Sequence, residues 1–203
     1  MSQLELPMPI SGLPLDLRAL AVEIHADNIK AGWWKQTIER DEGGCVVAET
    51  TIPRNTGELL ALIHSEISEA DFGVMHVLMD DKLPHRTMLE VELADTAIRV
   101  FDMLGYYRNP CTPTRTLPLP ADDNWSDWCR LMHRTTTNAL EAFRKGDPDK
   151  GCDVLVDLLG AIHFAALTFN CDLTGAIAEK REFNRNRLDH KLEARAATGG
   201  KVF

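Results

Sequence analysis

Apolar residues recur along this chain at intervals of three and four, with little strict alternation, so the sequence predicts helices almost throughout. A first helix covers about Asp16 to Ala31, with Leu17, Leu20, Ala21 and Ile24 forming its apolar stripe. After Gly32-Trp33-Trp34, the stretch Arg40 to Arg54 is rich in Glu, Gly and Thr and reads as a polar loop. A second helix opens at Asn55, with Glu58 three residues on as a capping-box variant, and continues through Leu59, Leu62, Ile63 and Ile67 to about Phe72. A third opens near Thr87 with Glu90 in the same relation and runs through Leu93, Ala97, Val100, Phe101 and Leu104. Four of the ten prolines fall between Arg108 and Asp123, where no period survives, and this marks a long loop. Two further helices are predicted, roughly Asn124 to Lys145 and Lys150 to Asn170, and a last one from Leu173 to about Ala194, ahead of Gly199-Gly200-Lys201. The expected architecture is all-α: a single domain over 1–203, built as an antiparallel helical bundle with an additional helical pair.

The two helical pairs carry a faint internal echo. Ser65 to Ala70 can be laid on Thr137 to Ala142, and Glu92 to Asp95 on Val154 to Asp157. Either the second pair is a degenerate copy that has lost most of its acids, or two helical hairpins align because bundle helices share one apolar period.

With 203 residues, 44% hydrophobic and 26% charged, the chain has the make-up of a globular protein able to bury a core. Met1 to Leu17 lacks the basic and apolar regions of a secretory signal. The longest apolar run, Val154 to Phe169, is interrupted by Asp157 and His163 and is too short to span a bilayer. A cytoplasmic protein without a membrane partner is therefore expected. Five cysteines at irregular spacing, with no C-x-x-C pair, indicate reduced structural thiols. The net charge of −9 is uneven: Lys180 to Phe203 carries seven basic and three acidic residues, so the acidity lies in the rest of the chain. An acidic body does not suit long nucleic acid, which needs a basic footprint. It suits a small anionic ligand only if metal ions accompany it.

The chemistry-bearing pattern is a pair of acidic motifs on consecutive helices, Glu66-x-x-Glu69 and Glu92-x-x-Asp95. Residues three apart share a helix face, so each helix presents two carboxylates beside its apolar stripe. If the two helices pack antiparallel, all four acids converge. At about 4 Å and an effective dielectric of about 20, each like-charged pair costs roughly 4 kcal/mol, which makes such a cluster sensible only with cations or raised pKa values. Hard divalent ions with oxygen ligands, Mg²⁺ above all, fit it. The same acids could equally be two solvated helix faces, in which case the chain is a helical interaction module. A di-iron bundle oxidase is disfavoured, because its sites use Glu-x-x-His and neither motif has it. His64 and His163, in apolar runs, read as core or edge histidines.

The spaced motifs Glu66-x-x-Glu69 and Glu92-x-x-Asp95 resemble the signature of the MazG-like all-α NTP pyrophosphohydrolases. So do the stretches Ile24-His25 to Trp34, Leu60 to Ala70, Glu92 to Asp102, Lys180-x-x-x-Asn184-x-x-Arg187 and Gly199-Gly200-Lys201. The resemblance covers a core of residues 18–107 and 171–203, leaving 108–170 as a helical elaboration. Ser65 stands where that family often carries a further Glu. The resemblance implies that Glu66, Glu69, Glu92 and Asp95 hold Mg²⁺, with Mn²⁺ as a substitute, and that Glu66 or Glu69 is the general base. It also implies that Lys180, Asn184 and Arg187 contact phosphates, joined by Lys201. One of Trp33 and Trp34 is expected to stack on the base and the other to lie in the core. Arg99, four residues after Asp95, is expected to form a helix ion pair with it. The implied activity is hydrolysis of a (deoxy)nucleoside triphosphate to the monophosphate and pyrophosphate by a homodimer. The alternative is a non-catalytic nucleotide- or metal-binding regulatory bundle.

Overall fold

A computed structural model of the chain describes residues 16–112 and 118–186. Among them it contains six α-helices and one two-stranded hairpin: α1 (Leu17–Lys30), β1 (Gln36–Arg40), β2 (Val46–Thr51), α2 (Thr56–His76), α3 (Met88–Tyr106), α4 (Trp125–Arg144), α5 (Pro148–Thr168) and α6 (Leu173–Asn186). The protein is mostly helical, as the apolar spacing predicts. Helix starts coincide with capping side chains: Asp16, Asn55, Thr87, Asn124 and Asp147 each accept a hydrogen bond from a first-turn backbone N–H. Pro148 then opens α5, where its missing N–H costs nothing. The predicted extension of the last helix to Ala194 lies outside the described residues.

Two pairs of antiparallel helices make a four-helix layer. At one end of α2 Gly73 meets Met88 of α3, in the middle Glu66 meets Arg99, and at the other end Thr56 lies beside Tyr107. In the second pair, Phe143 of α4 packs on Gly151 of α5, and Trp125 meets Phe169. The pairs join through α2 against α4 and α3 against α5. Helices α1 and α6 pack on the remaining sides of α3. Helix α3 is consequently buried on nearly every face, from Leu89 to Gly105. Helix α5 is part of this core, since its Leu155, Leu158, Leu159 and Ile162 belong to the same continuous apolar cluster as Ile63, Leu93 and Phe101.

The segment Arg40 to Arg54, read as a polar loop, contains most of a β-hairpin. Thr, Val and Ile favour extended backbone, and Asp41 closes the turn by accepting hydrogen bonds from Gly43 and Cys45, with Gly44 at φ 83°. Nearly every residue of the hairpin is exposed, so neither face imposes the alternation by which a strand is recognised. Helix α5 is 21 residues long and apolar enough by composition to cross a membrane, but most of it is buried within the bundle. All five cysteines are free, and burial pushes the thiols of Cys111, Cys129, Cys152 and Cys171 up to about 11 or 12.

Helix α1 crosses α3 closely at Gly105. A Cβ placed on Gly105 would lie 2.3 Å from the backbone oxygen of Ala21 and 2.6 Å from Cβ of His25. Gly105→Ala must therefore force the helices apart. A loss of about 1–3 kcal/mol in urea unfolding is expected, and an unchanged midpoint would show that this contact does not set the spacing.

Candidate functional site

The antiparallel packing of α2 on α3 turns two acidic helix faces toward each other. Oxygens of Glu66, Glu69 and Glu92 lie within 4.8 Å of one another. Glu66 and Glu92 are only 6% and 5% exposed, whereas Glu69 reaches solvent. Asp95 is close enough to affect Glu92 but stands outside this trio, and its Oδ2 accepts a 2.7 Å bond from Lys180 Nζ of α6. Lys180 is itself buried, 4% exposed. Three of the four expected ligands thus gather at one point, and the fourth anchors a cation beside them.

Arg99 does not form the helix ion pair expected with Asp95. Its Nε and Nη2 both donate to Glu66 Oε1 across the α2–α3 interface. The reason is packing: Glu66 is buried directly opposite and needs a counter-charge, while Asp95 already has Lys180. Ser65, where a further acid was expected from the resemblance, donates to Glu69 Oε1 at 3.2 Å. Glu92 Oε2, by contrast, is buried with no donor facing it, and the Glu92 carboxyl lies within hydrogen-bonding reach of Glu66.

These surroundings shift the acids strongly. Burial, reinforced by Asp95 and Glu66, pushes the Glu92 carboxyl up to about 9. Burial also lifts Asp95 to about 6, with Lys180 opposing and Glu66 adding to the rise. Burial would lower the Lys180 ammonium, but the attraction of Asp95 and Glu92 outweighs it and leaves Lys180 above its ordinary value. A carboxylate cluster of this kind is tolerated through raised pKa values or a cation, and the trio of Glu66, Glu69 and Glu92 could hold a metal ion.

Beside the cluster lies a cavity of about 410 Å³. Helix α1 contributes Ile24, Asp27 and Asn28, α2 contributes Leu59 and Leu62, and α3 contributes Asp95, Ile98, Arg99 and Asp102. Helix α6 supplies Lys180, Arg181, Asn184 and Arg185. Trp33 and Arg54, at the two feet of the hairpin, complete the rim. Arg181 and Arg185 are held in place by Asp27 of α1. The side-chain oxygen of Asn184 is buried without a partner. Of the two tryptophans, Trp34 is in the core, 2% exposed, stacked on Tyr106 at 4.6 Å and donating to both oxygens of Asp102. Trp33 is the one that faces the cavity. Arg187 and Lys201 lie outside the described residues.

Asp102 Oδ1 accepts from His25 Nδ1 at 2.8 Å, so His25, Trp34 and Asp102 form a fixed wall of the cavity. Sequence reasoning assigned no role to Asp27, Asn28, Arg54, Asp102, Arg181 or Arg185. Asp102 had a signal, standing seven residues after Asp95 and so on the same face of α3. The others are brought in by α1 and by the feet of the hairpin, through contacts distant in sequence. His64 is far from being a metal ligand of this site. It shares a 2.7 Å nitrogen–nitrogen hydrogen bond with His133 of α4, and burial lowers both rings. His163 is buried on α5 beside Phe164.

Compared with known protein families, curated proteins and solved structures, the chain matches none.

The raised carboxyls carry a pH dependence. Glu92 binds a proton in the folded state up to about 9 but releases it near 4.5 when unfolded. The folded state then binds more protons between these values, so stability falls as pH rises across that window. Metal-free protein should melt at progressively lower temperature from pH 5 to pH 8, and Glu92→Gln should flatten the profile and raise the pH 8 value. A wild-type profile already flat over this range would contradict the buried, uncompensated acid.

Proposed function

We propose that this protein is a Mg²⁺-dependent nucleoside triphosphate pyrophosphohydrolase of the MazG-like kind, releasing pyrophosphate and a (deoxy)nucleoside monophosphate. One juxtaposition carries the reading: a carboxylate trio with an unpartnered buried oxygen opens beside a cavity walled by Arg99, Lys180, Arg181 and Arg185. A nucleotide triphosphate asks for both halves, a metal-binding acidic edge and a basic wall for its phosphates. The cavity volume is at the small-ligand scale of roughly 300–1,000 Å³.

Glu66, Glu69 and Glu92 would hold the ion, with Asp95 completing the acidic edge. When bound, Mg²⁺ or Mn²⁺ supplies charge neutralisation of the triphosphate and makes bound water more acidic. The chain's own groups do the rest. Glu69 is the exposed member of the trio and can take the proton of a water attacking the α-phosphorus. The bond from that phosphorus to the bridging oxygen breaks, and pyrophosphate departs against the guanidinium and ammonium groups of the wall. Asn184 offers an unpartnered carbonyl oxygen to the nucleotide. Trp33 offers a ring face, and stacking of a base on an aromatic face contributes about 1–3 kcal/mol. Arg187 and Lys201 remain phosphate contacts in this reading, and a cytoplasmic homodimer clearing nucleotide pools is its expected setting.

Purified protein with Mg²⁺ should release pyrophosphate from members of an NTP and dNTP panel. The release should vanish with EDTA, and Glu69→Ala should lower kcat by about 100-fold or more. Thermal stabilisation by nucleotide with no turnover would replace this reading with the non-catalytic binding protein. No response to any nucleotide would leave a helical interaction module.

A further inference from the structure

Three carboxylates surround the candidate ion position and Asp95 stands beside them, and two of the four already have a cation of the protein's own. Arg99 covers Glu66 Oε1 with two nitrogens. Lys180 covers Asp95 Oδ2. The Ser65 hydroxyl takes Glu69 Oε1 as well, without charge. Glu92 Oε2 is the oxygen left unpartnered in the buried part of the site. Asp80 also acts on Lys180, and its Oδ1 accepts from the backbone N–H groups of Lys82 and Leu83. With Glu66 Oε1 held by Arg99 and Asp95 Oδ2 held by Lys180, the carboxylate oxygens free for a metal gather at one position, that of the trio. A second ion would have to displace Arg99 or Lys180 from its carboxylate and leave that cation without its partner.

We propose that Arg99 is a resident cation of this site, standing with Lys180 in the place of further metal, so that the nucleotide-free protein takes one divalent ion per chain. The inference rests on reading the trio as a divalent-cation site, and is independent of hydrolysis. Arg99 is suited to the role because it is anchored on α3 yet 37% exposed along the cavity. It can therefore bridge a metal-binding carboxylate and an anion in the cavity, which a core arginine could not. Its planar fork also lets two donors engage one carboxylate, which a lysine ammonium does less specifically.

Stoichiometry tests this directly. Metal-stripped full-length protein is titrated with Mn²⁺ without nucleotide, and free Mn²⁺ is followed by electron paramagnetic resonance. Wild type should bind about one Mn²⁺ per chain, and Arg99→Met, which uncovers Glu66 and removes a charge, should bind about two. Arg99→Lys should restore a single ion. Circular dichroism checks that each variant is folded. If Arg99→Met is not, Arg99→Gln removes the charge while keeping an amide donor beside Glu66, and gives the same readout. Two ions on wild type, one ion on every variant, or no Mn²⁺ binding would each overturn the inference. Two ions on a wild type that releases pyrophosphate would overturn it while the hydrolase reading stands. One ion on a wild type that hydrolyses no nucleotide would do the reverse.

Discussion

Carboxylates buried between two helices must be balanced, and much of this structure can be understood from how they are. Glu66 and Glu92 sit almost out of water where α2 and α3 cross, a position that penalises ionised acid heavily unless charge of the other sign is at hand. Arg99 meets one of them from the same helix pair. Lys180 meets the neighbouring Asp95 from α6, so the last described helix is tied electrostatically as well as by packing to the centre of the bundle. The balance is incomplete, and Glu92 retains an oxygen without a partner. That incompleteness is relieved by the raised Glu92 carboxyl, and it leaves an acidic group that could hold a metal ion.

The rest of the fold builds walls around that point. Helix α1 approaches α3 closely over Gly105, and His25, Trp34 and Asp102 lock together at the wall of the cavity. Asp27 holds Arg181 and Arg185, so the basic wall is fixed by the protein's own contacts. Pre-orientation of this kind lowers the entropic cost of binding a multiply charged ligand. The second helical pair, α4 and α5, contributes no acid to the trio and serves as the packing partner of the first. Its Glu141, which the internal echo sets opposite Glu69, is at the surface with Arg144, and the buried Asp157 is aligned with Asp95. The α2–α3 and α4–α5 pairs have matching antiparallel form, a likeness of architecture that similar helical periods also produce.

The amino-acid sequence alone determined the helices and the acidic faces. Asn55 and Thr87 announced the starts of α2 and α3, the three-and-four spacing marked their buried stripes, and the placement of Glu66, Glu69, Glu92 and Asp95 followed from helical geometry, because all of these depend on neighbours within a turn or two. The hairpin escaped because strands exposed on both faces carry no alternation. What only the tertiary structure decided was pairing: that Arg99 serves Glu66 rather than Asp95, that Lys180 is spent on Asp95, that Trp34 enters the core while Trp33 faces the cavity. Each of these choices compares partners far apart in the chain, and burial and charge select among them only after the helices have packed.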